Sequence, residues 1–241
     1  MADLPNGNIQ PLARVRIYEG LDLGALEIVV AAAHRMEKEP DANFFVQGQK
    51  ASKFFVVISG RVKVTQVTPE GHQIVVRYAG AGEMFGCVPL FGGDEYPATA
   101  TAVTRCRAMT WNRAAVDRLM EQFPRIAINA LGLLGKELSG LRARYRELAT
   151  ERVERRVARA LVRLVGQAGR KVEDGVLIEF PISRQDLAEL TGTTLHTVSR
   201  ILSAWEQQGI VRSGRRRIVV CSPHGLVSIA EDLNPPRDGL A

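Results

Sequence analysis

The sequence predicts an α+β chain: an N-terminal β-roll or jelly roll, a long coiled-coil helix and a C-terminal winged helix-turn-helix. Three stretches predict it. Between Phe44 and Trp111, short apolar runs alternate with Gly- and Pro-containing turns, the texture of many short strands. From Ala127 to Leu148, apolar residues step by four and three, the spacing of a two-stranded coiled-coil seam. From Ser183 to Arg217, two helical segments flank Gly192 and a basic hairpin follows.

Composition bounds the answer. At 241 residues the chain suits two domains, and 46% hydrophobic with 24% charged residues is ordinary for a soluble globular protein. A net charge of +6 favours a polyanionic partner. Cys87, Cys106 and Cys221 are scattered without C-x-x-C spacing, which argues against a disulfide framework, cysteine-ligated zinc and an iron–sulfur cluster. No metal-ligand set is identified. The longest apolar run, near Ile28 to Ala33, is too short to span a bilayer, and the N-terminus lacks a signal-peptide pattern, so a cytoplasmic protein without a membrane partner is expected. No Ser/His/Asp set, phosphate loop, H-E-x-x-H or paired carboxylates are found, so the chain is not expected to be an enzyme.

The elements follow in order. Residues 1–20, with Pro5, Asn6, Gly7 and Pro11, read as an irregular arm. Asp22 caps a helix in which Leu23, Leu26, Val29, Val30 and Ala33 recur at helical spacing. The β-roll occupies 21–124 and ends in a short helix, Ala114 to Gln122, stopped by Pro124. The coiled-coil helix, 125–149, carries its seam on Ala127, Leu131, Leu134, Leu138, Leu141, Tyr145 and Leu148, predicting a parallel homodimer. A winged helix-turn-helix occupies 150–233. It opens with a helix capped by Thr150 and ended by Gly166 and Gly169, followed by a strand Val176 to Phe180. The tail, 234–241, with Pro235 and Pro236, is expected to be disordered.

Within the last domain, Ser183 and Asp186 read as a helix cap and its acid, Gly192 as the break, and Thr193 or Thr194 as the next cap. The second helix runs to Gly209. Ile210-Val211-Arg212 and Ile218-Val219-Val220 form the wing strands, joined by Ser213 to Arg217. This pattern suits double-stranded DNA. A helix N-terminus in the major groove presents its first two turns to base edges, here Thr194, Leu195, His196, Thr197, Ser199 and Arg200. Leu195 can meet a thymine methyl, Ser199 a base or phosphate, and Arg200 a guanine bidentately. Arg215, Arg216 and Arg217 are placed for phosphates, and Arg184 and Gln185, which open the first helix, are expected among the DNA-binding residues.

With β-roll, long helix and winged helix in that order, the chain resembles the cyclic-AMP receptor and fumarate–nitrate regulator (CRP/FNR) family. The carriers are "FFVQG" at Phe44 to Gly48, "FFVVISGRVKV" at Phe54 to Val64, "TPEG" at Thr68 to Gly71, "GEMFG" at Gly82 to Gly86, Ala98-Thr99-Ala100, and Ile182 to Val220. The resemblance implies a cyclic-nucleotide-binding-like β-roll acting as sensor and a bacterial transcription regulator bound as a dimer to a two-fold-related DNA site. It also implies RNA polymerase as a further partner and a hinge near Glu147 to Val153. The fumarate–nitrate branch carries Glu, two residues, then Ser-Arg in its DNA-reading helix. This chain keeps Ser199 and Arg200 but has His196 where the Glu stands, and a TTG-like half-site is expected.

The sensor departs from the family pattern. Residues aligned with the nucleotide pocket are Phe85, Gly86, Cys87, Tyr96, Pro97, Ala98, Thr99, Leu141 and Arg142. Cys87 stands where the resemblance implies a ribose-binding Glu. Tyr96-Pro97 replace a phosphate-binding Arg-Ser, and Leu141-Arg142 replace a hydroxyl pair that contacts the base. Without the arginine a bound phosphate loses its main charge-assisted partner, so cyclic AMP is disfavoured. Residues 1 to 43 hold no cysteine, which disfavours the iron–sulfur cluster of the oxygen-sensing branch. A haem-based gas sensor using Cys87, His34 or His72, a thiol sensor at Cys87, and a small organic effector remain open. The rival from another class is a β-roll module that regulates without touching DNA, and the helix-turn-helix with its basic wing opposes it.

Overall fold

The computed structural model describes residue 12 and residues 15–88 and 92–233. The expectations for Pro5, Asn6, Gly7, Pro11 and the tail 234–241 fall outside them. Two compact units, Met1–Leu141 and Arg142–Ala241, divide the chain, and the division falls inside the long helix.

In the first unit, a 3-10 turn at Arg16–Tyr18 precedes α1 (Leu23–Ala31). The N-cap of α1 is Asp22, whose carboxylate accepts from the Ala25 N–H at 2.8 Å. The helix stops two residues short of the expected Ala33. His34 opens β1 (His34–Lys38), which pairs with a later strand through His34↔Thr110 to Lys38↔Cys106. The remaining strands are β2 (Asn43–Phe45), β3 (Lys53–Ser59), β4 (Val62–Val67), β5 (Gln73–Ala79), β6 (Met84–Phe85), β7 (Thr99–Ala102) and β8 (Cys106–Asn112). Among the described residues they make two antiparallel sheets, ordered β1-β8-β3-β6 and β2-β7-β4-β5, the β-roll that the turn punctuation predicts.

The β-roll has two buried clusters. One gathers Phe44, Phe45, Phe55, Phe85 and Tyr96 around Val57, Val62 and Ala100. The other joins α1 and β8 to the helices that follow, α2 (Arg113–Gln122) and the start of α3 (Pro124–Thr150). Trp111, fully buried there, donates from Nε1 to the Val29 carbonyl at 2.9 Å. Val15, Ile17 and Tyr18 are buried in the same cluster, so the residues before Leu21 include core packing that their irregular composition does not announce. Pro124 begins α3 rather than merely ending α2, as suits a residue with a preset φ and no N–H to satisfy.

In the second unit, α3 ends at Thr150 and α4 runs from Val153 to Ala168. Thr150 does not cap α4. Its hydroxyl donates back to the Arg146 carbonyl at 2.9 Å, and Arg152 is the N-cap. Gly166 lies within α4, where burial of Val157, Leu161 and Leu164 outweighs the roughly 1 kcal/mol helix cost of a glycine. Gly169 opens β9 (Gly169–Val172), a strand not expected from sequence, which forms a hairpin with β10 (Gly175–Ile178). Then come α5 (Arg184–Thr191), α6 (Leu195–Gln207), β11 (Val211–Gly214), β12 (Arg217–Val220) and α7 (Pro223–Glu231). The sheet order is β11-β12-β10-β9. The last helix, α7, was also not anticipated, although Ser222 as N-cap followed by Pro223 is a legible start signal.

Among the described residues, no helix is long and apolar enough to cross a membrane, and no group of His, Cys, Asp and Glu is arranged to hold a metal ion.

Candidate DNA interface and sensor interior

The helix-turn-helix is built by local chemistry. Ser183 accepts from the Asp186 N–H at 3.0 Å, and Asp186 accepts from the Ser183 N–H at 2.8 Å, completing a reciprocal capping box. Gly192 closes α5 at φ 64°, ψ 47°, a left-handed conformation that costs a side-chain-bearing residue about 1–2 kcal/mol. Thr194, not Thr193, caps α6: its hydroxyl accepts from the Thr197 N–H at 3.2 Å.

With that start, α6 splits into two faces. Val198, Leu202 and Trp205 are buried, and Trp205 Nε1 donates to Glu154 at 3.0 Å. Thr194, Leu195, His196 and Arg200 are exposed, with Thr197 and Ser199 half-buried beside them. Leu195 is 47% exposed, and an apolar side chain held open at the first position of a capped helix is available to a partner.

The wing is tighter than expected. Ser213 and Gly214 belong to β11 and Arg217 to β12, and Gly214 pairs with Arg217. Only Arg215 and Arg216 form the turn, Arg216 at φ 56°. Arg215, Arg216 and Arg217 are all exposed there. Arg212, on the neighbouring strand, is bound to Asp174 at 2.6 Å, and that pairing raises its already high pKa. The expected first-helix contacts are engaged within the protein. Gln185 donates to Glu189 at 2.9 Å, and Arg184 donates to the Ser213 hydroxyl at 2.7 Å.

Along α3, Ile126 and Ala130 are buried in the β-roll's second cluster and Leu133 packs against it. The heptad stripe beside them stays open: Leu131 is 67% exposed, Tyr145 76%, and Leu134, Leu138, Leu141 and Leu148 between 40 and 53%. Ala127 is half-buried, while Ile128, which the seam did not include, is 59% exposed. The stripe therefore does not cover the β-roll core within the chain.

In the β-roll, Phe85, Gly86 and Tyr96 come together around Phe45, and Ala98 is buried. The Tyr96 ring stacks on Phe45 with centroids 3.8 Å apart at 12°, and its hydroxyl exchanges hydrogen bonds with the Lys53 backbone. Gly86 sits at φ 63° with its missing Cβ position 2.8 Å from the Phe45 ring, so only glycine fits. Pro97 is exposed, and Thr99 accepts from the Gln47 N–H at 3.0 Å. Leu141 and Arg142 are exposed on α3.

Cys87 packs against the other cluster, and burial pushes its thiol up to about 12, with Arg77 opposing and Glu137 adding to the shift. Arg77 was missed in the sequence. It reaches from β5 to donate to the Met84 carbonyl and lies 3.9 Å from Glu137. His34 and His72 are exposed.

Comparison with known proteins agrees with this geometry. A cyclic nucleotide-binding domain model matches residues 35–123, and a Crp-like helix-turn-helix domain model matches residues 155–229. The chain is 23% identical over 209 residues to a CRP-like cAMP-activated global transcriptional regulator of Mycobacterium tuberculosis, covering 87% of this chain and 93% of that one. It is 29% identical over 198 residues to the cyclic AMP receptor protein of Thermus thermophilus, covering 82% and 88%. Among solved structures it is similar to the c-di-GMP-responsive global regulator CLP of Xanthomonas campestris, with a TM-score of 0.72 and 25% identity over 83% of this chain and 99% of that one. Both halves of the chain, and regulators matched over most of its length, lead to one conclusion: it belongs to the CRP/FNR family, as a transcription regulator with a DNA-binding helix-turn-helix.

Proposed function

We propose that the chain acts as a homodimer, paired through the open stripe of α3, on a two-fold-related DNA site, with the two α6 helices in successive major grooves. The observation that carries this reading is the pairing of two unpartnered surfaces on one chain: the exposed leucines of α3 and the exposed first turns of α6. A lone helix gains nothing by holding Leu131, Leu134, Leu138 and Leu141 in water. Covering each in a seam is worth on the order of 1 kcal/mol or more. Two copies of α6 then face DNA with matching symmetry, and a palindromic operator follows from the protein's two-fold axis.

Arg200 reads a guanine and Ser199 a base or phosphate. His196 and Leu195 fill the rest of the half-site, and Arg215, Arg216 and Arg217 hold phosphates. RNA polymerase is the further protein partner, and the setting is the bacterial cytoplasm.

The effector differs from the cyclic AMP named for two of the relatives. Where the resemblance places a phosphate-binding arginine, this chain has Tyr96 with its ring stacked on Phe45. Aromatic packing there offers no counter-charge to a cyclic nucleotide, so the signal is neither cyclic AMP nor another ligand that needs that arginine. Thiol sensing at Cys87 is disfavoured too. The thiolate is the reactive form, and a thiol shifted to about 12 is almost wholly protonated at neutral pH.

Four outcomes test this reading. In the native chain, Cys87 should react with iodoacetamide at pH 7 far more slowly than in the unfolded chain, read by peptide mass spectrometry; equal rates would return it to the list of redox sensors. Leu138→Glu should give monomers in sedimentation velocity, whereas an intact dimer would move the interface off α3. Arg200→Ala should lose about 1–3 kcal/mol of specific affinity and relax preference at one base pair in a binding-site selection. Replacing Arg215, Arg216 and Arg217 by Gln should weaken binding on every sequence and flatten its salt dependence by about one unit of slope per lost contact. An unchanged slope would detach the wing from the phosphates.

A further inference from the structure

We infer that Glu206 is a positioning residue for DNA binding, holding the wing and Arg184 in place against the DNA-reading helix. The inference rests on the docking reading above.

Glu206 is at first sight misplaced. It lies in the last turn of α6, where the helix dipole disfavours an acid, and on a surface whose other charges favour phosphate. Its contacts account for it. Oε1 accepts from both the Ser213 N–H, at 2.8 Å, and the Ser213 hydroxyl, at 2.5 Å. Arg184 Nη2 donates to that same hydroxyl at 2.7 Å and lies 3.6 Å from Glu206 Oε2. Each group is used in its proper sense: the hydroxyl donates to the carboxylate and accepts from the guanidinium.

One carboxylate thus ties three elements together: the first turn of α5, the last turn of α6 and the wing strand β11. Strand β11 is an edge of its sheet, and the Ser213 N–H is met by the Glu206 side chain rather than by another strand. Two residues further on, the turn presents Arg215 and Arg216. The contact to Ser213 occupies one terminal nitrogen of Arg184, and a guanidinium has five N–H donors, so most of the fork stays free for a phosphate. Glu206 therefore gives up some general attraction for DNA and in return fixes the place of the cations that contact it.

The test compares the full chain with Glu206→Ala, Glu206→Gln and Ser213→Ala variants. Affinity is measured against salt for a duplex selected by the wild-type chain from a random pool, and for a scrambled duplex of the same length. Thermal unfolding is followed in parallel. Glu206→Ala should bind the selected duplex about tenfold more weakly, as two hydrogen bonds to a charged group are lost. The scrambled duplex should be held as tightly or more tightly, because one negative charge is gone. Glu206→Gln should restore the selected affinity, since an amide oxygen still accepts both Ser213 bonds, and Ser213→Ala should fall between the two.

Parallel weakening on both duplexes with a lowered melting temperature would make Glu206 merely structural and overturn the inference. Equal tightening on both duplexes would reduce it to a bulk charge and overturn it as well. Arg200→Ala in the same assay separates the two levels. If Arg200→Ala leaves the selected affinity intact, the docking and this inference fall together. If it weakens binding while Glu206→Ala keeps the wild-type ratio, only the role of Glu206 falls.

Discussion

Near the end of α3, the carboxylate of Glu147 is almost wholly removed from water and meets Arg163 in two hydrogen bonds, 2.9 and 3.1 Å long. A buried carboxylate is costly unless it is paired, so wherever this helix end packs, the guanidinium must accompany it. Arg159 adds a second cation, 3.8 Å from Glu147 and 3.4 Å from Glu151, and Arg155 lies 3.9 Å from Glu151. The expected hinge, Glu147 to Val153, is thus a break between helices clasped by charges on α4. Arg156 carries the clasp onward. Its guanidinium donates to the carbonyls of Glu151, Thr191 and Gly192, joining the break between α3 and α4 to the turn that precedes the DNA-reading helix.

The interior of the β-roll is filled by rings. Phe44, Phe45, Phe55, Phe85 and Tyr96 pack edge-on and face-to-face, and the tyrosine hydroxyl is satisfied by the backbone of Lys53 rather than by a ligand. Aromatic burial supplies stability that a charged, ligand-dependent pocket does not. Charge enters from another side, through Arg77 on β5 with Glu137 of α3 close by, and Cys87 feels both.

Much of this was legible in order and type. Caps, glycine breaks and apolar spacing are short-range, so Asp22, the Ser183–Asp186 box, Gly192 and the α3 stripe could be read directly. Misreadings arose where competing local signals were nearly balanced. Gly166 looked like a stop but is carried by buried neighbours, and Thr150 looked like a cap but bonds backwards. His34 followed a helical run yet pairs with Thr110, a partner far along the chain. The first hairpin of the second unit was half-seen because Arg170 and Lys171 lack the alternation of a half-buried strand.

The arginines mark where local pattern stops and the fold takes over. Helical period, capping and the basic composition of the wing determine that a helix-turn-helix forms and that cations surround it. In the sequence Arg155, Arg156, Arg159, Arg163 and Arg212 are interchangeable charges, and Arg184 reads as a DNA contact beside Arg200 and the wing triplet. The fold divides them: the first four clasp the helix break, Arg184 and Arg212 are held by Ser213 and Asp174, and Arg200 with Arg215 to Arg217 stands exposed. Which guanidinium is engaged within the protein depends on carboxylates, carbonyls and a hydroxyl brought near from distant parts of the chain, and no local pattern carries that information.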